Sequence, residues 1–319
     1  MRIVALVPGG IGDQILFFAT CDDLKRYHPN AQIDVFVEPN SKAAYRVSQS
    51  IHEVLTFDYQ NRNSLADWGD LVGRIRDREY DVALVVAQDW FIGLLMWLTG
   101  IPVRIGYKAK NTPFLTHTIT CRKNHYLAEV YHDLLQPLNI SDVCPELTIN
   151  VPRQDLEWAK QEQKHLGVHE TGYILISGSS SNSLTTLSLR ETYPIESWQE
   201  IIQECQQKQP NLPLVVIEQE NDAQFIPSLL NITRNLKVTS PSDIGKLAAI
   251  IGGASLLLSI DNEALQLSVA VQTYTIALFG DREPVTRLPK NEKFLAIKSP
   301  TSKIKDISPQ DVLAKIWGG

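Results

Sequence analysis

Short runs of consecutive Val, Ile and Leu alternate along the chain with longer stretches in which apolar residues recur every three or four positions. The short runs read as strands buried on both faces, and the recurring pattern as helices with one apolar stripe. In the first half this predicts strands at 2–7, 32–37, 53–57 and 81–86. A helix is predicted over 13–27, its stripe made by Ile15, Leu16, Ala19 and Leu24, and another over 125–135. Residues 137–153 hold Pro137, Pro145 and Pro152 and little periodicity, as an interdomain connection would. A second series follows, with strands at 173–177, 214–217, 256–260 and 274–279 and helices near 155–166, 195–208, 243–252 and 263–271. Ser308-Pro309 opens a last helix, a cap residue before a proline at the first helical position.

Alternating strands and helices are the mark of βα units on a parallel sheet. The expected fold class is therefore α/β, with two Rossmann-like doubly wound domains, 1–150 and 151–319, facing across a cleft. Ligands of such sheets lie beyond the carboxyl ends of the strands, which directs attention to the loops that leave them.

Composition narrows the classes. The 319 residues are 44% hydrophobic and 21% charged, those of an ordinary globular protein, which excludes disorder, collagen and coiled coil. With 30 Lys+Arg against 36 Asp+Glu the net charge is −6, which argues against nucleic acid as a partner. Cys21, Cys121, Cys144 and Cys205 show no CxxC spacing, so neither a zinc site nor a disulfide framework is suggested, and a reducing, cytoplasmic setting fits. The apolar stretch at the start runs directly into Pro8-Gly9-Gly10, too short and too early for a signal peptide. The longest apolar run, 91–103, is broken by Gly93, Thr99, Gly100 and Pro102 and falls short of the roughly 20 residues that cross a bilayer. No metal is expected either: the seven histidines lack ligand spacing and no Asp-x-Asp motif is present.

Candidate chemistry sits in the loops. Pro8-Gly9-Gly10-Ile11-Gly12-Asp13-Gln14 joins the first strand to the first helix; its glycines serve either a tight turn or close backbone approach to an anion at a helix start. Asp13 reads as a helix cap or as a carboxylate able to take a proton from an acceptor hydroxyl. Ser177-Gly178-Ser179-Ser180-Ser181-Asn182-Ser183 follows the first strand of the second half, and reads as a flexible polar loop or as a set of donors for phosphate oxygens. Lys108, Lys110, Arg122 and Lys123 cluster in the later loops of the first half. They are either solvated or suited to an acidic acceptor or an anionic membrane surface. Trp90, Trp97 and Trp198 read as core residues.

The Gly-Gly-Ile-Gly-Asp loop between strand and helix resembles the start of the heptosyltransferase-like glycosyltransferases, glycosyltransferase family 9. Further matches fall in order: Arg104-Ile105-Gly106, Tyr193-Pro194 with Trp198, Asp261 before a helix, and Ala277-Leu278-Phe279-Gly280 with Pro284. They cover almost the whole chain. The resemblance implies the two-domain GT-B fold and a transferase that moves a heptose or related sugar from a nucleotide-diphosphate sugar, an ADP-sugar by the family's habit, to a saccharide or glycolipid. It implies inversion without a metal or other cofactor, as in lipopolysaccharide biosynthesis, with peripheral contact at the inner membrane surface an open option. Asp13 would be the general base, and Gly10, Gly12, Lys108 and Lys110 would line the acceptor side of the first domain. On the donor side the second domain would use Ser177, Gly178, Ser179, Ser180, Arg190, Asp261, Asn262, Glu263, Gln266 and Arg282, with Arg287 near them.

The chain departs from the family at the donor helix. Where Asp-Ser/Thr-Gly-Pro-x-His is usual, it has Asp261-Asn262-Glu263-Ala264-Leu265-Gln266, and Glu191 stands where a lysine is common. A glutamate at a helix start favours the helix but repels a diphosphate placed there. A second reading is thus a GT-B-shaped binding or partner module with a degenerate donor site. A third, a GT-B epimerase, lacks a clear histidine for its acid–base work.

Overall fold

The computed structural model describes residues 1–59, 64–110, 112–179, 192–218, 225–233 and 236–318. They divide into two compact units, Met1–Thr148 and Ile149–Gly319, each built on its own six-stranded parallel sheet.

In the first unit β1 (Arg2–Val7), α1 (Ile11–Tyr27), β2 (Gln32–Val37), β3 (Glu53–Thr56), α2 (Leu65–Arg76), β4 (Val82–Val85), α3 (Trp90–Leu98), β5 (Val103–Tyr107), β6 (His117–Ile119) and α4 (Leu127–His132) follow one another. The sheet order is β3-β2-β1-β4-β5-β6. Residues 3–7 of β1 are fully buried because helices cover both faces of a central parallel strand, and a continuous apolar run results. A core cluster built on Val4, Leu6, Phe36, Ala83, Val85, Leu71 and Met96 fills one face.

The second unit runs α5 (Arg153–His165), β7 (Ile174–Ser177), α6 (Ile195–Lys208), β8 (Leu214–Ile217), α7 (Phe225–Ile232), β9 (Lys237–Thr239), α8 (Ile244–Gly252), β10 (Leu256–Ile260), α9 (Glu263–Ala270), β11 (Thr275–Phe279), α10 (Pro284–Arg287), β12 (Phe294–Lys298) and α11 (Pro309–Ile316). Its sheet order is β12-β11-β10-β7-β8-β9, the same winding as the first. Read from the other edge, strands three, two, one, four, five and six succeed each other in both. The order reverses between β1 and β4 in one unit and between β7 and β10 in the other, and loops leaving those strand pairs must diverge. The divergence opens the crevice that ligands of doubly wound sheets occupy. Ser308 caps α11, accepting from the Asp311 amide, and Val312 on that helix joins a core cluster with Trp198 and Ile201 of α6.

One core assignment is corrected. Trp198 is fully buried, but Trp90 and Trp97 are 51% and 54% exposed. Every residue of α3 except Gly93 has a large apolar side chain, so the helix has no polar side to turn outward, and half of it meets solvent whichever face packs. All four cysteines are free thiols.

Candidate active site

In the first unit the loop after β1 is fixed from beneath. Gln14 is fully buried, and its amide nitrogen donates to the carbonyl of Val7 at 2.9 Å and of Gly9 at 3.3 Å. Tyr45 Oη donates to Gln14 Oε1 at 2.8 Å, and Ser41 Oγ donates to the Gly9 carbonyl at 2.7 Å. Two residues from the segment after β2 thus hold a turn after β1. None of the three was singled out by sequence; the one available signal was an amide standing beside Ile15 and Leu16 on a helix face that is otherwise buried.

Helix α1 begins earlier than the periodicity predicts, at Ile11, with Gly10 as its N-cap. Asp13 is therefore the third helical residue and not the cap. Its Oδ2 accepts from the Gly10 amide at 3.1 Å, the returning half of a capping box. Gly9 lies at φ +123°, and a Cβ there would stand 2.5 Å from Asp13 Oδ2. A side chain at Gly9 is thus excluded twice, by backbone conformation and by the carboxylate itself. Gly12 is buried inside the same turn. The half-buried Asp13 carboxylate sits at the carboxyl end of β1, at the sheet's switch point.

Lys108 and Lys110 follow β5, two strands along the same sheet edge, about 10 Å from β1 at the usual strand spacing, and both are exposed. Arg122 does not join them as a free cation: its Nε and Nη2 hold Asp133 at 2.7 and 3.1 Å. Glu38, at the end of β2, is a further group on this edge. Burial raises its carboxyl to about 7, even though both its oxygens accept from the Tyr59 amide at 3.2 and 3.3 Å.

In the second unit the two loops at the switch point are tied together by Asn262. Its Nδ2 donates to Ser177 Oγ at 2.8 Å and to the Ser179 carbonyl at 2.7 Å. Its Oδ1 accepts from the amides of Ala264 and Leu265 at 3.1 and 3.4 Å and from Ser259 Oγ at 3.0 Å. One side chain therefore caps α9 and crosses from β10 to β7. Gly178 is close-packed: a Cβ there would lie 2.3 Å from the Phe225 ring and 2.9 Å from Trp198 Nε1. Ser180 and Arg190, expected among the donor-side residues, lie outside the described residues, as do Ser181–Ser183 and Glu191.

Asp261 receives two arginines. Its Oδ2 stands 3.0 Å from Arg282 Nη1 and its Oδ1 3.3 Å from Arg287 Nε. Asp261 and Arg287 are buried, while Arg282 is exposed. Gln266, in the family's histidine position, is fully buried and donates from Nε2 to the Arg287 carbonyl at 3.2 Å. Lys298 Nζ donates to the carbonyls of Asp281 and Arg282 at 2.6 and 2.8 Å. The 281–287 segment is thus held by groups from the turn after β10, from α9 and from β12. Glu263, the first residue of α9, is buried. The structure brings Ser177, Ser179, Asp261, Asn262, Gln266 and Arg282 to one edge of one sheet, although it commits most of their polar atoms to one another.

Two successive doubly wound α/β units, with candidate groups at the switch point of each, are the GT-B fold of sugar transferases. The E. coli ADP-heptose lipopolysaccharide heptosyltransferase II has that fold at TM-score 0.79 and 15% identity, the match covering all of this chain and 98% of the other. The family model of glycosyltransferase family 9 (heptosyltransferase) matches residues 68–316, and the chain belongs to that family. Among curated relatives it is 20% identical to lipopolysaccharide heptosyltransferase 3 of E. coli, over 84% of this chain and 80% of the relative. It is also 22% identical, over 96% of this chain and 71% of the relative, to a chloroplast protein of Arabidopsis thaliana, the photosynthetic NDH subunit of subcomplex B 1.

Proposed function

We propose that this chain transfers a sugar from a nucleotide-diphosphate sugar to a hydroxyl of a saccharide or glycolipid, with inversion and without a metal. The observation that carries the reading is the Asp13 carboxylate at the switch point of the first sheet, on a turn that Gln14, Ser41 and Gly9 leave no freedom to rearrange. A preset carboxylate suits a general base, whose work depends on reach before anything else. The acceptor oxygen attacks the anomeric carbon as its proton passes to Asp13. The bond from that carbon to the nucleotide diphosphate breaks, and the diphosphate leaves with the electron pair. Gly10 leaves the backbone beside Asp13 without a side chain toward the acceptor, the buried Gly12 lets the first turn of α1 close behind it, and Lys108 and Lys110 provide cations for an acidic acceptor.

In the second unit Ser179, Ser180 and the exposed Arg282 would take the charge that develops on the diphosphate, with the buried Ser177 and Gly178 supporting the loop beneath them. Asp261 and Asn262 hold that edge in shape, Gln266 holds the arginine loop, and Arg190 adds a second cation. The donor is an ADP-sugar and the sugar a heptose or a relative of it, as the family implies; the E. coli enzyme of the same fold is named for ADP-heptose and lipopolysaccharide.

A second reading is favoured by specific features. Glu263 is a buried acid at the amino end of α9, where a diphosphate would be repelled, and Asn262 already occupies the Ala264 and Leu265 amides. The similarity to a subunit of a multiprotein assembly also suits a partner module without transfer activity. Calorimetry with nucleoside diphosphates and nucleotide sugars separates the two. Selective binding of one nucleotide, tightened by Glu263→Gly, is the expected result for the transferase; silence across the panel would leave the partner module.

A further inference from the structure

Beside β6, the outermost strand of the first sheet, lies a cavity of about 480 Å³ lined by Thr118, Ile119, Thr120, Arg122, Asp133 and Gln136. Thr118 and Ile119 end the strand, Thr120 and Arg122 lead away from it, and Asp133 and Gln136 come from the 3-10 helix Asp133–Leu138. The volume is that of a cleft for a small ligand. None of these residues takes part in the transfer proposed above.

The polar groups of the lining divide into two sets. Asp133 is saturated: its Oδ2 accepts from Arg122 Nε at 2.7 Å, and its Oδ1 accepts from Arg122 Nη2 and from Gln136 Nε2, both at 3.1 Å. The other set is the hydroxyls of Thr118 and Thr120, the amide oxygen of Gln136, and Arg122 Nη1, which stands 3.9 Å from Glu129 Oε2. Among the described residues no hydrogen bond reaches any of these four groups.

The unpartnered set specifies a ligand chemistry. Two hydroxyls that both donate and accept, one acceptor and one N–H donor match a molecule that itself carries several hydroxyls. The guanidinium is already balanced by the Asp133 carboxylate, with Glu129 beyond it, so the lining holds no net positive charge to draw a phosphate. Nor does it hold an aromatic ring on which a nucleobase could stack. The half-buried Ile119 offers an apolar surface to the C–H face of a sugar ring. The geometry points to a binding site for a neutral saccharide at the end of β6.

Place in the fold gives the site a use. Thr120 and Arg122 follow the carboxyl end of β6, on the sheet edge from which the Asp13 loop leaves β1. Three strand spacings separate β6 from β1, about 14 Å. A short oligosaccharide spans that distance. Held here by its outer residues, it could lie past the loop after β5 and present a hydroxyl to Asp13. This use rests on the transferase reading, whereas binding of the saccharide is tested without it.

The test is saturation-transfer difference NMR of the full chain with maltose, lactose and diacetylchitobiose, and with glucuronate and galacturonate as anionic controls. At least one neutral disaccharide should bind with a Kd of about 1–10 mM, more tightly than either uronate. Thr118→Val/Thr120→Val exchanges the hydroxyls for methyls on a strand that favours branched side chains, so it should fold, and it should weaken binding about tenfold. Gln136→Leu, at an exposed position, removes the amide oxygen and provides an independent variant with a loss in the same direction. Absence of signal from all three disaccharides, tighter binding of a uronate, or unaltered binding by both variants would overturn the proposal. If a nucleotide binds and no disaccharide does, only this site is lost. If a disaccharide binds and no nucleotide does, the transferase reading fails and the site stands.

Discussion

Asn262 Nδ2 and Ser177 Oγ, 85 residues apart in sequence, meet at 2.8 Å across the switch point of the second sheet. The bond replaces what a shorter cap would leave open. A serine or threonine could cap α9 from the same position but could not also reach the Ser179 carbonyl. Asn262→Ala should remove the cap at a cost of about 1–2 kcal/mol and leave the buried Ser177 hydroxyl without its donor. Asn262→Ser should recover most of the cap. Urea denaturation of the two variants should therefore rank wild type, serine, alanine in falling stability.

The two arginines on Asp261 should behave differently. Removing Arg287 leaves a buried carboxylate facing only an exposed guanidinium, and costs of about 3–5 kcal/mol are usual when a buried pair loses a member. Removing Arg282 should cost no more than about 1 kcal/mol, because an exposed cation contributes little to stability. If Arg282 meets a diphosphate, its alanine variant should weaken nucleotide binding at nearly unchanged melting temperature. Thermal denaturation paired with calorimetry reads both effects.

Asp13→Asn keeps an oxygen able to accept from the Gly10 amide, so the variant should fold as the wild type does. Turnover should fall by about 10²- to 10⁴-fold while donor binding holds. Gly9→Ala should reach the same loss by another route. Its methyl cannot share space with Asp13 Oδ2, and the positive φ adds strain of about 1–3 kcal/mol. Transfer assays and melting curves of the pair separate a lost base from a displaced one.

Glu38 gives the molecule a pH dependence near neutrality. Its folded value of about 7 lies above the ordinary 4.5 because burial disfavours the charged form. Between those values the folded chain keeps a proton that the unfolded chain has released, so this group's contribution to stability falls as pH rises through the window. Glu38→Gln should raise the melting temperature at pH 8 more than at pH 5. An equal change at both pH values would contradict the assignment.

Much of the fold was legible because central parallel strands must be apolar on both faces. The strands at 2–7, 32–37, 214–217 and 256–260 and the helix at 195–208 have the bounds their sequence patterns predict. The strands left unread, β5, β6, β9 and β12, lie toward the edges of their sheets; in β5, β6 and β9 polar residues such as Arg104, His117 and Lys237 interrupt the run, and in β12 the run Phe294–Ile297 is only four residues long. Helix α3 could not be placed by periodicity, because a helix apolar all round has none. The candidate loops were legible since they follow those central strands. What fixes the loops was not: Tyr45 on Gln14 and Arg287 on Asp261 are contacts between distant segments, and nothing local marks either partner.

The clamp under the first loop has a bearing on how such a chain changes its trade. Gln14, Ser41 and Tyr45 hold the turn through main-chain oxygens and an amide, and none of their bonds passes through the carboxylate one residue away. The clamp on the crevice wall and the carboxylate mounted on it are therefore largely separable. A descendant could exchange the carboxylate for its amide in a single substitution and keep a rigid, well-folded body, and one built the other way round could regain it as easily.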